Sequence, residues 1–411
     1  MATTFPNAHK SLAIRRAPES EARLTQHDMT PEGLAKKHEL GQFLTPKPIA
    51  EFMASLFSAR WQSLHLLDAG AGAGSLTAAL VHRLCGERRK PRELAVTAYE
   101  VDSALLGPLQ ATLSSCRREC ERAGIGFSAT IHHADFIEAS APLVRGDLFA
   151  AMPPRFNAAI VNPPYRKIRS DATARLLLRS AGIETSNLYT GFLALIVRLL
   201  SADAEMVAVT PRSFCNGPYF RPFREDFLAR MSLRRLHVFE SRLAAVGGDE
   251  VLQENIIFRA VKSEQKPERV TISTSSGDPG ADVRENSVPY HEVVSATDPE
   301  QFIHLVADAS QARAREAMTR LTTTLAELGL SVSTGRVVDF RTTAYLRQQS
   351  SRDTVPLIYP CHFRGGFLHP RVDRGRRVAK NKGTRNKCSK WGRCPSLWRR
   401  FQPSSIQGSL R

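Results

Sequence analysis

Leu66-Leu67-Asp68-Ala69-Gly70-Ala71-Gly72-Ala73-Gly74 decides the fold of this chain, because it leads from an apolar run into a segment of helical character that begins near Ser75. Glycines let the backbone turn sharply and approach a ligand closely, and the helix behind them adds free N–H groups and a positive dipole end. Such a strand-to-helix turn suits a nucleotide-like cofactor, although it also serves as a plain tight turn. Its surroundings decide between the two.

Short apolar runs recur at 64–67, 94–99, 125–131, 156–161, 206–209, 233–239 and 251–258, seven strand candidates in all. Stretches 75–85, 103–123 and 188–200 between them have helical character, and 46–59 shows helical apolar spacing with prolines in its first turn. Alternation of this kind argues for an α/β fold with a mainly parallel, doubly wound sheet. Seven strands complete one domain near residue 265.

The strand ends carry the chemistry. Glu100 closes the second run in Tyr99-Glu100-Val101-Asp102, where a nucleotide-binding sheet places a carboxylate for ribose hydroxyls. It lies 32 residues after Asp68, more than the ~20 of dinucleotide folds, and the basic loop at 85–92 accounts for the excess. The third run leads into His133-Ala134-Asp135-Phe136, in which Asp135 could accept from an adenine amino group while Phe136 packs on the ring. The fourth, Phe156 to Val161, stops at Asn162-Pro163-Pro164-Tyr165. There Asn162 offers a fixed carbonyl acceptor, the two prolines fix φ and remove backbone donors, and Tyr165 supplies a flat face for a planar substrate. That set suits gripping an amino group.

In this order, DAGAGAG, YEVD, HADF and VNPPY resemble the S-adenosylmethionine-dependent amino-methyltransferases. Gly41-Gln42-Phe43-Leu44-Thr45-Pro46 resembles the additional cofactor motif of DNA adenine-N6 methyltransferases of the gamma arrangement, of the restriction-modification type typified by the Eco57I, TaqI and XhoI methylases. The resemblance covers roughly 35–265, and 333–340 also resembles recognition domains of such methylases. It implies a Rossmann-like methyltransferase domain followed by a C-terminal DNA-recognition domain. It further implies S-adenosylmethionine as cofactor, with Thr45, Pro46, Asp68, Gly70 and Gly72 about its methionine end, Glu100 on the ribose, and Asp135 with Phe136 on the adenine. The Asn162 side chain and the Pro163 carbonyl would hold the amino group of a flipped adenine, Pro164 would keep that turn rigid, and Tyr165 would stack on the base. A second aromatic comes from a segment after the sixth strand in the resembling family; Phe239 fits best by order, with Phe258 as the fallback.

Asn-Pro-Pro-Tyr alone also suits RNA or protein-glutamine N-methyltransferases, and a DNA-binding protein with impaired methylation is the non-enzyme alternative. Architecture favours DNA, since about 145 residues follow the catalytic fold. The expected organisation is a polar leader at 1–34, the methyltransferase domain at 35–265, an incomplete recognition domain at 266–370 and a disordered basic tail at 371–411. Of the net charge of +17, the tail holds +12 (13 Lys/Arg, one Asp), which leaves +5 for residues 1–370. That tail is either a basic arm for phosphates or the product of a truncated or frame-shifted reading frame, and the abrupt switch favours the second.

Seven cysteines without a pairing pattern point to a reduced compartment. No run approaches the ~18 apolar residues of a membrane helix, so a cytoplasmic monomer free of membranes is expected. Cys388 and Cys394 have poor zinc spacing, and no metal is expected. The expected partner is double-stranded DNA, and a cognate restriction endonuclease would sit on a separate chain.

Overall fold

In a computed structural model of the chain, residues 45–58, 61–146, 155–239, 255–275 and 282–305 are described, with scattered positions beyond them as far as 380. Helix α1 (Lys47–Ser55) precedes the alternation β1 (Ser63–Ala69), α2 (Ser75–Gly86), β2 (Glu93–Glu100), α3 (Ser103–Ala123), β3 (Gly126–His133) and α4 (Phe136–Arg145). The chain continues through β4 (Phe156–Val161), α5 (Thr173–Ser180), α6 (Leu188–Leu199), β5 (Leu200–Pro211), α7 (Arg221–Arg230), β6 (Ser232–Phe239) and β7 (Asn255–Val261). It then adds β8 (Arg269–Ser275), β9 (Arg284–Pro289) and the short α8 (Tyr290–Val293).

All nine strands join one sheet in the order β3-β2-β1-β4-β5-β7-β6-β8-β9. Strands β1 to β5 run parallel, β7 is antiparallel to both β5 and β6, β8 is parallel to β6, and β9 returns antiparallel to β8. Strand order reverses between β1 and β4, and ligands of open α/β sheets bind outside the carboxyl ends of the strands at such a switch point. The glycine loop leaves β1 there, and Asn162 leaves β4.

Period-two alternation builds a core on each face. Leu64, Leu66, Ala158, Ile160, Val207 and Val209 pack with α1, α2 and α3 on one side. On the other, Leu67, Ala69, Ala159, Val161, Met206 and Ala208 meet residues of α4, α6 and α7. The doubly wound expectation is met.

The sheet does not stop near residue 265. Strands β8 and β9 extend it to nine, and the expected boundary falls inside a compact unit that runs to Arg320. Fully buried Arg224 of α7 braces this unit, donating to the carbonyls of Phe214 (3.0 Å), Gly217 (2.7 Å) and Glu300 (2.9 Å). Three carbonyls around this buried guanidinium hold the turn after β5.

Leu321–Arg411 form a second unit. Within it Leu346–Arg347, Thr354–Pro356 and Val378–Lys380 make a small antiparallel sheet, and Phe363–Arg364 pairs with Phe367–Leu368. The expected disorder from 371 therefore meets a strand at Val378–Lys380. Of the helix expected at 310–328, Arg313, Ala317 and Met318 are helical, whereas the described positions from Arg320 to Leu328 are turn or irregular; its other positions, the strand, turn and strand expected at 330–340 beyond Leu330, and Gly41 to Leu44 lie outside the described residues.

Candidate active site

The glycine loop turns through positive φ at Gly70 (80°), Gly72 (58°) and Gly74 (84°), a region that L side chains rarely adopt. At Gly74 space is also closed, since a Cβ would come within 3.0 Å of Leu109 and 3.1 Å of Thr112. The loop is tied to the next strand, with the N–H groups of Gly70 and Ala71 both donating to the Tyr99 carbonyl at 2.9 Å. Buried Glu100 completes the tie, accepting from Gly72 N at 2.8 Å and from Asp102 N at 2.7 Å. Its carboxylate braces the loop as well as facing the cleft.

That cleft, open to solvent, is lined among others by Gly70, Gly72, Glu100, Asp135, Phe136 and Asn162. One Asp135 oxygen caps α4, accepting from Ile137 N (2.8 Å) and Glu138 N (3.1 Å). Phe136 is buried against Tyr99 and Phe192, at ring-centroid distances of 5.1 and 5.0 Å. Phe192 belongs to an apolar helical stripe that reads as core, yet it also lines the cleft. A narrow loop of glycines and alanines, a carboxylate at the second strand end and an aromatic wall together fit S-adenosylmethionine.

Asp68 sits behind this wall. It is fully buried, accepts from the Thr77 hydroxyl at 2.6 Å through Oδ2, and has no hydrogen-bond partner at Oδ1. Burial pushes its carboxyl up to about 7 from an ordinary 3.8, and the nearby Glu100 charge adds to this against the Thr77 hydrogen bond. Between those values the folded chain holds a proton that the unfolded chain has released. The contribution of Asp68 to stability is therefore full below about pH 4 and is lost as pH rises through about 7. Thermal melts of wild type and Asp68→Asn across that window should diverge, with wild type losing ground as pH rises; a difference constant with pH would refute the shift.

Asn162 emerges from β4 at the far side of the switch point. Its Nδ2 donates to the Thr45 hydroxyl at 3.1 Å, and the Tyr165 hydroxyl donates to its Oδ1 at 2.8 Å. The same hydroxyl lies 3.2 Å from the Val209 carbonyl on β5, and burial pushes the phenol well above its usual range. Tyr189 stands edge-on to Tyr165 at 6.3 Å and shares a 3.0 Å hydrogen bond with Ser213. Pro163 is buried and Pro164 lines the cleft, so the turn is held on both sides.

Several expected site residues do not line this cleft. Neither Thr45 nor Pro46 lines the cleft; Pro46 is the N-cap of α1, and Thr45 reaches Asn162. Phe239 is set apart from Tyr165. It ends β6, three strands from β4, roughly 14 Å at the usual strand spacing. Its ring lies 4.8 Å from that of His237 and packs with the α1 to α3 layer, whereas Tyr165 packs with the other layer. The fallback Phe258 is fully buried between Phe214 and Phe227. Among the described residues there is no cluster of three or more metal-ligating side chains, and no helix is long and apolar enough to cross a membrane.

The family profile described as Eco57I restriction-modification methylase matches residues 123–243. The chain is 40% identical over 328 residues to the Type II methyltransferase M.PstI of Providencia stuartii, covering 79% of this chain and 63% of that one. It is 43% identical over 351 residues to the Type II methyltransferase M.BsuBI of Bacillus subtilis, covering 85% of this chain and 68% of that one. The chain thus spans about two thirds of the length of these relatives. Among solved structures, one of a type I restriction-modification system is 13% identical with a TM-score of 0.47, over 68% of this chain and 63% of that one.

Proposed function

Because this chain belongs to the Type II methyltransferases, we propose that it moves a methyl group from S-adenosylmethionine to N6 of an adenine flipped out of duplex DNA, as the modification component of a restriction-modification system. The observation that carries this reading is the placement of an amide acceptor, Asn162, at the carboxyl end of β4 in the wall of the glycine-loop cleft. Glutamine and RNA acceptors fit the clamp equally well, and it is the kinship to Type II methyltransferases that favours DNA. A cognate endonuclease on another chain completes the proposal.

The bound cofactor supplies an electrophilic methyl group. The chain's residues prepare the nucleophile. An adenine amino group is a weak nucleophile because its lone pair is delocalised into the ring. Asn162 Oδ1 and the Pro163 carbonyl accept its two hydrogens, which draws the nitrogen toward tetrahedral geometry and aims its lone pair at the methyl group. Alignment and fixed dipoles supply most of the acceleration.

Tyr165 has two parts to play. Its ring stacks on the extruded base, and its hydroxyl meanwhile occupies the acceptor that the substrate will need. An arriving amino group displaces that hydroxyl, leaving it the Val209 carbonyl as partner. Tyr165→Phe keeps the stacking face and is expected to hold kcat/KM within several-fold. Tyr165→Ala removes it and should lose about 10- to 100-fold, matching the ~1–3 kcal/mol of a base–aromatic stack. Steady-state methylation of an oligonucleotide duplex checks both; equal losses in the two variants would refute the stacking role.

A further inference from the structure

Thr45 stands 117 residues from Asn162 in sequence, yet its hydroxyl takes the Asn162 Nδ2 hydrogen at 3.1 Å. We propose that Thr45 is a positioning residue for the reaction centre, holding the Asn162 amide with its oxygen turned to the substrate; this rests on the proposed function of Asn162.

A terminal amide is nearly symmetric in shape and turns end for end at little steric cost. Turned the wrong way, Nδ2 would face the substrate amino group donor to donor, and no hydrogen could be drawn from the nucleophile. Tyr165 cannot prevent this once the substrate is bound, because the incoming amino group displaces it from Oδ1. At that stage Nδ2 needs an acceptor on the side away from the substrate, and the Thr45 Oγ1 is in place to serve.

Thr45 is itself held by the start of α1. Pro46 caps that helix, Pro48 rigidifies its first turn, and Ile49, Ala50, Met53 and Ala54 are buried against α2 and the sheet. At the other end Ser58 is clamped by buried Glu205, whose Oε2 accepts from Ser58 N at 3.0 Å and whose Oε1 accepts from Ser58 Oγ at 2.9 Å. Arg259 of β7 neutralises that carboxylate at 2.7 Å. An element pinned at both ends gives the hydroxyl a fixed address at the carboxyl edge of β4.

The test compares wild type with Thr45→Val, Thr45→Ala and Thr45→Ser in two measurements, S-adenosylmethionine binding by calorimetry and single-turnover methylation of duplex DNA. Thr45→Val and Thr45→Ala should bind S-adenosylmethionine within about twofold of wild type and transfer methyl about tenfold more slowly, the scale of one hydrogen bond. Thr45→Ser should restore most of the rate. Weakened S-adenosylmethionine binding with an unchanged transfer rate would overturn the inference and make Thr45 a cofactor contact. A Thr45→Ser variant as slow as Thr45→Val would overturn it too, since the hydroxyl would then not be the working group. If wild type methylates no adenine, the proposed function falls and the inference falls with it, whereas an active wild type beside a fully active Thr45→Val defeats the inference alone.

Discussion

Asn162→Ala is expected to lower the rate of methyl transfer by at least about 10²–10³-fold, the scale seen when one preorganised polar group is removed from a reaction centre. The substitution deletes the side-chain acceptor and leaves the Pro163 carbonyl to hold the amino group alone. S-adenosylmethionine binding should survive, because the glycine loop is tied to Tyr99 and Glu100 rather than to Asn162. Folding should survive as well: Asn162 is half-buried, and the partners it leaves have other recourse, with the Tyr165 hydroxyl retaining the Val209 carbonyl. Calorimetry for the cofactor and a labelled-methyl assay for transfer separate the two effects. A variant that still transfers methyl at a tenth of the wild-type rate would remove Asn162 from the mechanism.

Glu100→Ala should fail in the opposite order, at cofactor binding. Its carboxylate takes the backbone N–H groups of Gly72 and Asp102 in a buried setting, and under the proposed function it also takes ribose hydroxyls. Two buried donors left without partners cost about 1–3 kcal/mol each, so thermal stability should drop. Losing charge-assisted bonds to the ribose as well amounts to ~3 kcal/mol, an affinity loss of about 100-fold. Glu100→Gln keeps an acceptor for one amide but turns an NH₂ toward the other, and should fall between. An alanine variant that binds S-adenosylmethionine within about threefold of wild type would show that the ribose sits elsewhere.

Much of this site was legible because its signals are local. Buried parallel strands need apolar runs, and the runs at 64–67, 94–99 and 156–161 lie inside β1, β2 and β4. Positive φ at Gly70, Gly72 and Gly74 is what the glycine spacing foretells. Strands β8 and β9 escaped the same reading for a physical reason. Arg269–Ser275 alternates its apolar residues with Ser and Thr, and Arg284–Pro289 is an edge strand with four exposed polar positions at its start. Neither presents an apolar run, although each completes its neighbour's hydrogen bonds.

Long-range placement was the other gap. Chain order puts Phe239 after the sixth strand, but β7 inserts between β5 and β6 and carries Phe239 one strand farther from Tyr165. Side-chain parity then turns its ring to the opposite layer. The Thr45 to Asn162 hydrogen bond bridges 117 residues, and no spacing in the sequence announces it.

Under the proposed function, Asn162 to Tyr165 grip an adenine amino group at the mouth of an S-adenosylmethionine cleft. Incubating the full chain with methyl-labelled S-adenosylmethionine and duplex DNA, then digesting the DNA to nucleosides, tests it most directly. Label is expected in N6-methyldeoxyadenosine, formed at least about 100-fold more slowly with Asn162→Ala. Label in a methylated cytosine, or in RNA or protein with none in DNA, would contradict it.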